Sequence, residues 1–283
     1  MRLPDRRAVR WAGVALAVAL LGAVVVVLAI APVPATSGPS TAALAGPESA
    51  PHSHVAMAAS GAPVPVGGLT STAGGYTFAA TGTSPLTFHI QGPDGRPVTR
   101  FAVVHEKLLH LIVVRRDLTG YRHVHPVMAP DGTWTVALAL PAPGPYRAYA
   151  DFTALDAAGK QNAVVLGVDL PAGVGSAPAP SPADDLTVSH EGSLTVGVAE
   201  PLLFRVTRHG APVALQPYLG AYGHLTVIRP EDLAYLHIHP EPGLADGAAR
   251  FWVAAPSTGT FRFFLDYQVD GKVHTAEFIV TVG

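Results

Sequence analysis

One seventeen-residue phrase occurs twice in this chain. His110 to Pro126 reads HLIVVRRDLTGYRHVHP and His224 to Pro240 reads HLTVIRPEDLAYLHIHP, matching without gaps at 8 of 17 positions. A second matched stretch follows each copy. Gly144–Phe152 and Gly259–Tyr267 both fit G-x-[YF]-R-x-[YF]-x-D-[FY]. Repetition on this scale marks a duplicated module, so whatever fold one copy takes, the other must take too.

The runs between turn residues say which fold that is. LTFHI, LLHLIVV, TWTVALAL and YRAYADF fill the first module; LTVGV, LLFRV, HLTVI, RFWVAA, FRFFLDY and EFIVTV fill the second. They are short, rich in aromatic and β-branched residues, and separated by Gly and Pro, which together make up 56 of 283 residues. Such runs predict antiparallel strands, and no segment beyond the N-terminus carries a helical stripe. The expected fold is all-β: two tandem antiparallel sandwiches of Ig-like or cupredoxin-like character, after one N-terminal transmembrane helix.

That helix is read from Trp11 to Ala31, 21 residues without a charge. At about 1.5 Å per residue it spans a hydrocarbon core of roughly 30 Å. Arg2, Arg6, Arg7 and Arg10 precede it, which places residues 1–10 in the cytoplasm and the bulk of the chain outside. A cleaved signal peptide ending at Ala29-Ile30-Ala31 is the rival reading. Residues 32–74 are Ala-, Pro-, Gly-, Ser- and Thr-rich and are expected to form a stalk. Modules are expected at 75–170 and 186–283, joined by a linker over 171–185 (PAGVGSAPAPSPADD).

Cysteine is absent. This excludes a disulfide framework, a thiolate metal site, a cysteine nucleophile and a blue-copper centre. Beyond residue 10 the chain carries 14 basic and 19 acidic residues with no basic stripe, so no nucleic acid is expected as a partner.

The repeat carries three histidines per copy. In a strand, alternate side chains share a face, so His123 and His125 point the same way about 7 Å apart. A hairpin centred on Arg116–Thr119 sets His110 opposite His125, within about 5 Å Cβ to Cβ. The same arithmetic gathers His224, His237 and His239. Three imidazoles suit a copper or zinc ion, with water, Asp151, Asp266, His105 or His274 available as a fourth ligand. The stalk adds His52, His54 and Met57 as a weaker candidate. The competing reading is structural: histidines packed and hydrogen-bonded at a sheet end, copied along with the module. Asp151 and Asp266 have a bland role as well, since each follows an arginine (Arg147, Arg262) by four residues on one strand face. The aromatic pairs Tyr146/Phe261 and Phe152/Tyr267 are expected in the cores, and His89, His190 and His209 as ordinary residues.

The HLxVxR…YxHxHP phrase followed by G-x-Y-R-x-Y-x-D-F resembles a group of bacterial secreted or membrane-anchored duplicated β-sandwich proteins. That group looks related to cupredoxin-like and copper-resistance-type periplasmic domains. The resemblance covers both modules and implies extracytoplasmic metal handling, with copper favoured over zinc. A metal transporter or another extracytoplasmic protein would be the partner. The alternative is a tandem Ig-like interaction module whose histidines bind no metal. An enzyme is not expected: there is no H-E-x-x-H, no G-x-S-x-G and no Glu close to the triads as a base, Glu106, four residues before His110, being the only near candidate.

Overall fold

Strands form where the sequence alternates or runs apolar between Gly and Pro turns. In the first module they are β1 (Thr72–Ala73), β2 (Tyr76–Thr83), β3 (Leu86–Gln91), β4 (Leu109–Arg115), β5 (Arg122–Val124), β6 (Val127–Met128), β7 (Trp134–Val136), β8 (Tyr146–Leu155) and β9 (Gln161–Leu170). The second holds β10 (Leu186–Glu191), β11 (Ala199–Arg208), β12 (Ala211–Pro212), β13 (His224–Ile228), β14 (Tyr235–His237), β15 (Pro240–Ala245), β16 (Ala248–Ala254), β17 (Gly259–Val269) and β18 (Lys272–Val282).

The structure, a computed structural model, describes residues 64–83, 85–140, 142–170, 185–238 and 240–283, with Thr83 and His237 described by their backbone alone. The expected cytoplasmic tip at 1–10, the expected anchor at 11–31, His52 and His54, and nearly all of the expected linker lie outside these residues. Among the described residues no helix is long and apolar enough to cross a membrane, and the architecture is all-β.

Duplication in sequence becomes duplication in topology. Each module pairs two antiparallel sheets. The order β1-β2-β3-β7-β6 in the first corresponds to β10-β11-β16-β15 in the second, where β12 also pairs with β11. The order β5-β4-β8-β9 corresponds to β14-β13-β17-β18. These are tandem Ig-like sandwiches.

The pattern of burial explains why some strands alternate and others do not. β3 alternates buried and half-buried positions, as a strand with one covered face must. β4 is buried at six consecutive positions, Leu109 to Val114. Its Leu109, Leu111 and Val113 enter the core of the first module with Phe88, Trp134 and Phe152. Its other face carries His110, Ile112 and Val114, and here the second module provides the cover. Ile112, Val114, Tyr121 and Tyr149 pack with Ile228, Leu233, Tyr235 and Phe264 in one shared apolar cluster. The Tyr121 ring stacks on Phe264 with centroids 4.3 Å apart. Each such side chain contributes about 1.5–3 kcal/mol by leaving water, so parting the modules would be costly. The expected core aromatics Tyr146, Phe152, Phe261 and Tyr267 are all buried.

Part of the segment that the sequence assigns to the stalk is structured: Gly67 to Thr70 are built into the junction, and Thr72–Ala73 form β1. Gly67 exchanges both backbone hydrogen bonds with Tyr235 of the second module (2.8 and 3.0 Å), while the Gly68 N–H donates to Val165 O of the first. Arg147 donates from Nη2 to the carbonyls of Gly68 and Leu69. Backbone can run this close only where side chains are missing. A Cβ on Gly167 would meet the Gly68 carbonyl oxygen at 1.9 Å, and one on Gly68, whose φ is +69°, would meet the Tyr149 ring at 2.4 Å. Gly167→Ala is therefore expected to lower the free energy of unfolding by at least about 2 kcal/mol, measured by urea denaturation. Gly243→Ala, where a Cβ meets nothing within 4 Å, should change it little.

Candidate metal centre

The hairpin of β4 and β5 has the ladder Leu111↔Val124, Ile112↔His123 and Val113↔Arg122. Continuing that register sets His110 across from His125, and all three histidines meet on the face turned toward the second module. Their rings sit 5.3 Å (His110–His123), 5.0 Å (His110–His125) and 4.8 Å (His123–His125) apart. One nitrogen from each lies within 4.8 Å of the other two.

Hydrogen bonds at the outer edges of the rings fix what the inner edges offer. His110 Nε2 lies 3.0 Å from Val104 O; a carbonyl only accepts, so Nε2 carries the proton and Nδ1 keeps a lone pair. His123 Nδ1 donates to Asp266 Oδ2 at 2.8 Å, which turns its Nε2 inward. These two inner nitrogens, His110 Nδ1 and His123 Nε2, are 3.0 Å apart, and His125 Nε2 is 3.2 Å from the first. Two lone pairs this close repel unless a proton or a cation lies between them. Tetrahedral ligand nitrogens about 2.0–2.1 Å from one ion are about 3.3 Å from each other, so two of the three nitrogen pairs are close to metal-site spacing and the third lies within 4.8 Å.

Burial keeps His110 and His125 neutral. His110 is pushed down to about 4, chiefly by burial and then by the neighbouring His123. His125 falls to about 2 by burial, with His123 and His110 adding to it. Neutral imidazole is the ligand form. Met128 packs against the apolar core of the first module, so it adds no thioether to the cluster.

The second module closes the site. Asp266 on β17 is 3% exposed and accepts from three donors: His123, Tyr121 Oη at 3.2 Å and Thr275 Oγ1 at 2.6 Å. The arrangement is repeated in the opposite sense where Tyr235 Oη donates to Asp151 Oδ2 at 3.1 Å. Both phenols are held well above their ordinary range, by burial first and the facing carboxylate second, so they stay donors. Asp266 thus acts on the far nitrogen of His123, the position from which a carboxylate orients and sharpens a histidine ligand.

His224 lies opposite Asp266 in its own ladder and mirrors His110, its Nε2 donating to Tyr218 O at 2.8 Å. Its ring lies 6.3 Å from His110 and 6.2 Å from His123, so the second module's histidine stands beside the first module's cluster. Burial lowers it to about 4, with His123 and His110 contributing. The His237 side chain and all of His239 lie outside the described residues. Of the other candidates, His105 is beside His224 (5.2 Å) and His110 (6.1 Å), whereas His274 stacks on Tyr267. His89 bonds Thr133 and His190 faces Phe204 and Phe278, both away from the cluster. The sequence reading missed Tyr121 and Tyr235 as partners of the acids, although both are matched positions of the repeat.

A larger concavity exists, an apolar cleft of about 1000 Å³ lined by residues including Val66, Leu69, Leu236, Ile238 and Trp252. Among its described lining residues the only ionisable group is Glu241, which is tied to Arg250 and Trp252. The convergent chemistry of this molecule is at the histidines.

A family profile described as Domain of unknown function (DUF8832) matches residues 65–169 and again residues 181–283. No curated protein matches the chain. Among solved structures, domains 4 and 5 of the S-layer protein SbsC are 13% identical, covering 77% of this chain and 92% of that one with a TM-score of 0.24. A putative membrane anchored protein from Corynebacterium diphtheriae is 12% identical, covering 73% and 56% with a TM-score of 0.20. Scores this low carry no argument about function.

Proposed function

This chain belongs, through both of its modules, to the family described as Domain of unknown function (DUF8832), and we propose that the paired modules bind a divalent first-row metal ion through His110, His123 and His125. One observation carries the reading: the outer hydrogen bonds to Val104 O and Asp266 turn His110 Nδ1 and His123 Nε2 toward each other, 3.0 Å apart. An all-imidazole donor set suits both copper(II) and zinc(II), and the usual order of affinities favours copper. Without thiolate or thioether in the cluster, copper(I) has no soft ligand to prefer. The ion, when bound, supplies positive charge between the lone pairs; Asp266 holds the His123 ring, and Val104 holds the His110 ring.

The role we assign is capture outside the cytoplasm, on a chain tethered by residues 11–31, with release to a transporter or another extracytoplasmic protein. We propose binding rather than turnover, since Asp151 and Asp266 both accept from buried tyrosines and neither is left as a base. The rival role, an interaction module whose histidines bind no metal, is supported by the way Tyr121–Asp266 and Tyr235–Asp151 tie the modules together without an ion.

The two roles part in a titration of the untagged full-length chain with copper(II) and zinc(II). Metal capture predicts at least about one tightly held ion per chain, lost in His123→Ala/His125→Ala. If the parent takes up neither ion, metal capture is wrong and the interaction role stands.

A further inference from the structure

We infer that His224, from the second module, is the fourth ligand of the ion, so that one metal staples the two modules together. This rests on the binding role proposed above and adds to it where the coordination comes from.

Three observations converge. His224 spends Nε2 on Tyr218 O, so like His110 it keeps its lone pair on Nδ1. A cavity of about 30 Å³ separates His224 from His110 and His123, with His105, Asp151 and Thr226 also on its wall and His125 off it. That is room for one water or ion, and it is bounded by both modules. The ring spacing then gives the distance to be closed. With metal–nitrogen bonds of about 2.0–2.1 Å, tetrahedral imidazole rings have centroids about 5.2 Å apart. The three rings of the first module are at 4.8–5.3 Å; His224 is at 6.2–6.3 Å from His123 and His110. His224 would have to approach His110 and His123 by about 1 Å to reach that spacing. Water is the competing fourth ligand, and the cavity would admit it. His224 is favoured because it is already buried, and already aligned by Tyr218.

The consequence is a coupling between metal and module docking. The ion would hold β4 and β5 of the first module to β13 of the second, across the same face that carries the shared apolar cluster. Opening that face would remove a ligand, which gives a partner protein a way to draw the metal out.

The test uses the untagged full-length chain and cobalt(II), whose visible spectrum distinguishes four-coordinate tetrahedral sites from others. The wild type should bind with tetrahedral bands. His224→Gln keeps a donor for Tyr218 O but removes the Nδ1 ligand; it should bind at least about 10-fold more weakly with altered bands. Equal affinity and an unchanged spectrum in His224→Gln would overturn the staple while leaving the His110/His123/His125 site standing. No binding by the wild type would remove the proposed role itself. Because His224→Gln could fail to fold, the coordinated imidazoles are also counted on the copper(II)-loaded wild type by pulsed electron paramagnetic resonance. Four agree with the staple and three contradict it.

Discussion

Asp266→Ala should cost about 3–5 kcal/mol of folding stability and weaken metal binding at least 10-fold, to roughly 100-fold, in the same chain. The size follows from what the carboxylate holds. It is nearly fully buried and satisfies His123, Tyr121 and Thr275 together. Two of those donors belong to the first module, so truncation strands buried N–H and O–H groups on both sides of the junction. Asp266→Asn keeps one carbonyl acceptor and should fall between the two. Chemical denaturation reads the first effect and metal titration the second. If Asp266→Ala is as stable as the parent, the junction is not held by this network. If it is destabilised but binds copper and zinc unchanged, Asp266 is structural glue and does not act on the His123 ligand.

Acid should unfold the metal-free protein over a defined window. His110 and His224 both titrate near 4 when folded, below the value of about 6.5 that an unfolded chain gives them. The unfolded state therefore takes up protons first as the pH falls, so stability is complete above about pH 6.5 and drains away toward pH 4. Each histidine accounts for about 1.4 kcal/mol per pH unit within that window, and below pH 4 neither adds further loss. Urea midpoints at pH 7, 6 and 5 should drop steadily, and His224→Gln should flatten the drop. A bound ion stabilises the folded state at the same sites, so the loaded protein should hold its midpoint to lower pH. Midpoints that do not move between pH 7 and 5 would show that these imidazoles are not held neutral by the fold.

Much of this was legible in the chain before any coordinates. The duplicated phrase fixed the number of modules, and alternating runs such as LTFHI fixed their class. Hairpin centring set His110 across from His125, the register that the ladder of β4 and β5 continues. What could not be read was the face on which the histidines gather. LLHLIVV is apolar at nearly every position, which says that both faces of β4 are covered, but not by what. The cover is the second module, and His123 finds its carboxylate 143 residues away on β17. Local spacing carries no trace of such a contact. For the same reason the sequence could not show that His224 lies beside His110 and His123. Residues 64–74 read as stalk because composition alone cannot distinguish a solvated Gly-rich segment from one whose glycines permit close packing against Val165 and Tyr235.

The central claim is that His110, His123 and His125 share an ion, and the most direct measurement of it is a crystal structure of the copper- or zinc-loaded chain with data collected at the metal's absorption edge. The account predicts one strong anomalous peak within bonding distance of His110 Nδ1, His123 Nε2 and His125 Nε2, with His123 still bonded to Asp266. Anomalous density confined to surface histidines such as His209, with the cluster unchanged and empty, would contradict it.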